Sequence, residues 1–150
     1  MDVIAWSQNL QAEHAASLGA EAVSKDELFR RADVVTIHLK LSERTRGLIG
    51  APELAAMKPT AYLVNTSRGP IVDEAALLAA LHEGTIAGAG LDVYDIEPLP
   101  ADHPLRSAPR TVLTPHIGYV SLGNYELWFR QVVEGIAGFL RGQPVRVLNG

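Results

Sequence analysis

The sequence predicts an α/β protein with a doubly wound parallel sheet, and three observations carry that prediction. Short apolar runs alternate with helix-like segments along most of the chain. Two of the runs, residues 34–39 and 61–64, are largely apolar, as strands buried on both faces are. Among the helical segments, some open on a capping residue and some close on a glycine.

In chain order, residues 2–6 read as a short strand, followed by the polar Ser7, Gln8 and Asn9. Residues 10–18 are rich in Ala, Glu, Gln and Leu and predict a helix that Gly19 closes. A small strand at 20–23 precedes Ser24, placed to cap a helix over 25–31, with Glu27 completing a capping box. After the strand 34–39, residues 43–48 read as a loop or helical turn, and 51–57 as a short helix closed by Lys58 and Pro59. Strand 61–64 leads into a loop, and Asp73 is placed to cap a helix from about 74 to 82, with Gly84 just beyond. In the next strand, 86–93, Gly88 and Gly90 suggest close approach of another backbone or a ligand. A proline-rich loop over 94–108 precedes the last short strand, 111–114. Phe129, Val132, Val133, Ile136 and Leu140 have helical spacing within 124–141, and Gly142 and Pro144 stop that helix before an apolar tail at 145–148.

Composition removes several function classes. The chain has 150 residues, enough for one domain with a real core, and a formal net charge of -4 without a basic cluster. That balance argues against nucleic acid and against an anionic membrane surface. With no cysteine, disulfides and thiolate metal sites are excluded, which fits the cytoplasm. No stretch has the apolar length of a membrane span, the N-terminus lacks the pattern of a signal peptide, and no histidine pair has metal-ligand spacing.

Three polar residues follow three successive strands: Arg68, Glu97 and His116. In a parallel sheet the carboxyl ends of the strands face the ligand crevice, so the topology would bring all three to one edge. They make a chemical set. A guanidinium holds a carboxylate with two parallel hydrogen bonds. An imidazole exchanges a proton near neutral pH, and a carboxylate beside it fixes its tautomer and favours its charged form. Asp92, at the end of an apolar strand, would be costly to bury without partners.

Around these residues the chain resembles a known family. Asn65-Thr-Ser-Arg-Gly-Pro-Ile-Val-Asp73, Gly90-Leu-Asp-Val93 followed by Glu97-Pro98, and Thr114-Pro-His-Ile-Gly118 are similar to signature segments of the D-isomer-specific 2-hydroxyacid dehydrogenases. His38-Leu39 followed by Thr45 and Gly47 resembles that family's cofactor-side loop, with Lys40 where a proline is usual. The resemblance spans essentially the whole chain and implies a Rossmann-type NAD(P)-binding domain. It implies that Arg68 orients the carboxylate of a small 2-keto or 2-hydroxy acid, that His116 is the acid/base and that Glu97 is its partner. Asp92 would hold the nicotinamide carboxamide, and Ser7, His38, Thr45, Thr66, Ser67 and Gly118 would lie along the cofactor. Ser7 stands where an acidic residue usually binds the ribose hydroxyls, followed by Gln8 and Asn9. No carboxylate there repels a 2′-phosphate and no arginine welcomes one; NAD is the expected cofactor, with NADP open.

The glycine-rich motif G-x-G-x-x-G does not occur, and the resemblance places Met1 at or just before the second Rossmann strand. In strand order 3-2-1-4-5-6 the first strand lies between the second and the fourth. The strand near the N-terminus would then lose its central neighbour, and the strand at 34–39 would expose a long apolar edge. The expectation is a partial cofactor domain over 1–118, with 119–150 a helix and tail that would pack on a substrate domain. The 150-residue chain is expected to be inert by itself and to associate, as a homodimer. The competing expectation is a non-catalytic nucleotide- or protein-binding module of the same fold.

Overall fold

Apolar runs become strands where a parallel neighbour takes up their backbone hydrogen bonds, and the pairing sets their length. In the computed structural model, which describes residues 1–148, β1 (Ile4–Ala5) pairs in parallel with β2 (Glu21–Ala22) alone. β1 is shorter than the run predicted, because a single two-residue partner leaves the rest of it unpaired. A second sheet holds β3 (Val34–Ile37), β4 (Tyr62–Asn65), β5 (Gly88–Leu91) and β6 (Thr111–Leu113), all parallel and in that spatial order. The helices between them are α1 (Ala12–Ser17), α2 (Lys25–Arg31), α3 (Ala51–Ala56) and α4 (Glu74–Glu83). This is the α/β, Rossmann-like arrangement the alternation predicts.

The chain falls into two compact units, Met1–His116 and Ile117–Gly150. In the first, Leu54, Leu63, Ile71, Leu81, Ile86 and Leu105 are 1% exposed or less and form the centre of the core. Cap chemistry sets the helix ends. Ser24 and Glu27 close the capping box of α2, the Asp73 carboxylate accepts from the Ala76 amide at 3.0 Å, and Gly84 ends α4 in the left-handed region at φ 74°. Lys25 ties α2 to α3 through Glu53 at 2.7 Å and the Leu48 carbonyl at 2.9 Å.

β3 departs from the two-sided burial expected of it. Val35 and Ile37 are buried, whereas Val34 and Thr36 face outward. As an edge strand paired only with β4, β3 keeps one solvated face, and its exposed edge is short rather than long. The two strand glycines also separate. A Cβ on Gly88 would fall 2.5 Å from the Arg110 carbonyl oxygen, a true close approach of backbone. A Cβ on Gly90 would meet nothing nearer than Val64 at 3.9 Å, so no backbone approach accounts for that glycine.

The second unit is built on α5 (Leu122–Leu140). It starts two residues before the predicted 124 because Ser121, whose hydroxyl accepts from the Asn124 amide at 3.3 Å, is the cap. Phe129, Val132, Val133, Ile136, Phe139 and Leu140 are exposed on it. In the tail, the Val145 side chain lies against Gly138 of α5. Among the described residues no helix is long and apolar enough to cross a membrane.

Candidate active site

Parallel pairing brings three strand ends to the same level. Asn65 of β4 is in register with Leu91 of β5, and Leu91 with Leu113 of β6. The loops that follow therefore leave the sheet side by side at its carboxyl edge. Hydrogen bonds and one close contact hold them together.

The first loop turns on Asn65, which is 1% exposed. Its side-chain amide donates to the Arg68 carbonyl at 2.9 Å, and its side-chain oxygen accepts from the Ser67 amide at 3.0 Å. An asparagine that bonds the backbone two and three residues on makes its own turn, and here it presents Arg68 outward. The Arg68 guanidinium is exposed, with one N–H donating to the Ser67 carbonyl at 2.6 Å. Gly69 then passes against the Tyr94–Asp95 peptide so closely that a Cβ would lie 2.1 Å from the Tyr94 carbonyl carbon. The Asp92 amide donates to the Asn65 carbonyl at 2.9 Å beside this contact.

The second and third loops bring Glu97 to His116. One oxygen of Glu97 accepts from the Tyr94 amide at 2.9 Å, and the other lies 2.7 Å from His116 Nδ1. With Nδ1–H donating to that carboxylate, the tautomer of the ring is set at Nδ1. His116 holds φ 56°, a left-handed conformation that costs a residue with a Cβ about 1–2 kcal/mol. Backbone strain of this kind gathers at functional sites. Burial pushes the Glu97 carboxyl up, but the hydrogen bonds from His116 and the Tyr94 amide outweigh it, with the charges of His116 and Arg68 adding to them, and hold it below the usual carboxylate range. Arg68 thus acts on the same carboxylate that meets His116. Tyr94 stitches the loops from below, its hydroxyl within reach of the Leu91 carbonyl at 3.1 Å and the Thr114 carbonyl at 2.9 Å. Burial, then the Asp92 charge, holds its phenol above the ordinary value, so it stays a donor.

Asp92 is 6% exposed, and the Thr114 hydroxyl donates to it at 2.5 Å. A carboxylate has about four lone-pair positions, so this group also suits the N–H donors of a carboxamide; the residues present fit that part of a nicotinamide cofactor. The other candidate cofactor residues lie on neighbouring loops. The Ser67 hydroxyl donates to the Leu39 carbonyl just past β3, and His38 Nε2 lies 3.0 Å from the Thr36 hydroxyl. Thr45 accepts from the Ser42 amide at 2.8 Å and donates to the Lys40 carbonyl at 2.8 Å, while Thr66 is exposed after β4. Ser7 follows β1, and Gly118 belongs to the second unit. Among the described residues no group of three or more His, Asp or Glu could hold a metal ion.

Sequence reasoning missed Asn65, Tyr94 and Arg44. Asn65 had a readable signal, a turn-forming amide closing an apolar run. Arg44 had none, for its guanidinium donates at 3.0 Å to Gln8, 36 residues away.

Because the folded carboxyl of Glu97 titrates below the ordinary carboxylate range, its charge contributes stability at and above that range, and the contribution is lost as pH falls through the folded pKa. Urea unfolding of the protein and of Glu97→Gln should differ at neutral pH and converge as the pH falls through the folded pKa of Glu97. A constant difference across that range would remove the charge from the account.

Comparison with known proteins bears on the fold and the family. Residues 1–118 match the D-isomer specific 2-hydroxyacid dehydrogenase, NAD binding domain. The glyoxylate reductase of Aeropyrum pernix is 42% identical over 150 residues, covering 99% of this chain and 45% of its own. The NAD-complexed D-isomer specific 2-hydroxyacid dehydrogenase of Lactobacillus delbrueckii ssp. bulgaricus has a TM-score of 0.78 at 30% identity, over 97% of this chain and 48% of that one. An acyclic imino acid reductase, Bsp5, in complex with NADPH and D-Arg has a TM-score of 0.77 at 30% identity, over 99% and 46%. The chain spans less than half the length of each. It belongs to the D-isomer-specific 2-hydroxyacid dehydrogenase family, with residues 1–118 in that family's NAD-binding domain.

Proposed function

We propose that the protein to which this chain belongs interconverts small 2-keto and 2-hydroxy acids of the glyoxylate and hydroxypyruvate class. The observation that carries this reading is the 2.7 Å contact between His116 and Glu97, on a carboxylate that also feels Arg68. Arg68 forks the substrate carboxylate with two N–H donors and draws charge onto the keto oxygen. His116 gives its Nε2 proton to that oxygen as it becomes a hydroxyl. Glu97 orients the ring through Nδ1 and balances its charge. Asp92 holds the carboxamide, while Ser7, His38, Thr45, Thr66, Ser67 and Gly118 lie along the nucleotide. When bound, a nicotinamide cofactor supplies the hydride chemistry.

On this reading the 150 residues alone do not turn over, since no glycine-rich phosphate loop is among them. The chain completed with the segments it lacks relative to the Aeropyrum pernix enzyme should reduce glyoxylate. In that enzyme His116→Gln should lower kcat by about 10²–10⁴-fold with cofactor affinity nearly unchanged. Arg68→Ala should lower kcat/KM for the keto acid by about a hundredfold. A His116→Gln enzyme as fast as its parent would contradict the assignment, as would turnover by the 150-residue chain.

We also propose that residues 119–150 pack on a substrate domain and that the protein is a homodimer. The exposed apolar residues of α5 support this, since soluble monomers rarely leave such a face in water. Sedimentation equilibrium of the chain should show association; a monodisperse monomer across the micromolar range would count against it.

A further inference from the structure

We propose that Arg44 makes the ribose end of the cofactor site selective for a 2′-phosphate, so that this chain prefers NADPH to NADH. The inference rests on the cofactor reading above and names the chemistry of one end of that site. In sheets of this kind the residue at the end of the second Rossmann strand meets the adenosine ribose. A carboxylate there takes the 2′-hydroxyl, and a nearby arginine takes a 2′-phosphate.

Here β1 is followed by Trp6-Ser7-Gln8-Asn9, with no acidic group to repel a phosphate. An arginine does reach the position, from another strand. Arg44 lies in the loop after β3, and its Nη1 donates to Gln8 Oε1 at 3.0 Å. The bond joins the loops after β1 and β3, one strand from each of the two sheets. Gln8 thereby holds the guanidinium beside Ser7 and Asn9. One N–H of five is spent on Gln8, which leaves the fork donors for a phosphate. Among the described residues Arg44 forms no ion pair, so no carboxylate competes for it.

The surrounding charge agrees. The loop from His38 to Arg46 carries Lys40, Arg44 and Arg46 against the single acid Glu43, in a chain whose net charge is -4. The basic loop is therefore a local feature. Ser7, Gln8 and Asn9 bond a hydroxyl or a phosphate about equally well, and Arg44 supplies the difference.

Two probes that differ only at the 2′ position test this on the 150-residue chain: adenosine 2′,5′-bisphosphate and 5′-AMP, titrated calorimetrically at low ionic strength. The bisphosphate should bind about tenfold more tightly, and added salt should shrink that gap. Arg44→Glu should abolish the preference and leave 5′-AMP affinity within about twofold, whereas Arg44→Lys should retain part of it. Circular dichroism confirms that the exposed substitutions leave the fold intact. Equal affinity for the two probes, or a preference that survives Arg44→Glu, overturns this inference and leaves nucleotide binding standing. Binding of neither probe overturns both.

Discussion

The site depends on a seam between two backbones. Gly69 packs its bare α-carbon against the peptide joining Tyr94 to Asp95, at a distance that no Cβ could share. That contact fixes the separation of two loops. One carries Arg68, held by the buried Asn65, and the other carries Glu97, held by the Tyr94 amide. Because Tyr94 also reaches the Thr114 carbonyl, the third loop with His116 is tied to the same seam. Strand register supplies the coarse alignment at the sheet edge; the seam sets the last ångströms. The chemistry of guanidinium, carboxylate and imidazole then follows from their nearness.

Two groups of loops differ in how tightly they are bonded. The loops after β4, β5 and β6 carry the guanidinium, carboxylate and imidazole, and they are densely bonded to one another. The loops after β1 and β3 carry polar and basic groups, and among the described residues the bond between Arg44 and Gln8 joins them. That difference has a physical basis. Proton transfer needs donor and acceptor at hydrogen-bond distance, whereas recognition of a charged phosphate tolerates a more exposed, adjustable partner.

Much of this was legible in the residues themselves. The capping box of Ser24 and Glu27, the Asp73 cap and the Gly84 stop are local signals, and each appears where its residues stand. The three polar residues were legible as a set because parallel topology alone sends strand ends to one edge. What was not legible depends on contacts across the chain. Val34 and Thr36 face outward because of where β3 lies in the sheet, which its own letters do not state. Gly88 and Gly90 look alike in sequence, yet only Gly88 meets a backbone, that of Arg110. Arg44 reads as a surface charge until folding brings Gln8 to it.

A crystal structure of Gly69→Ala tests the seam most directly. A methyl group 2.1 Å from the Tyr94 carbonyl carbon must recover ordinary contact at 3.4 Å or more. The account predicts that residues 67–70 and 94–97 part by roughly an ångström, drawing Arg68 away from the Glu97–His116 pair while β4, β5 and β6 stay in register. An alanine accommodated with both loops in place would contradict it.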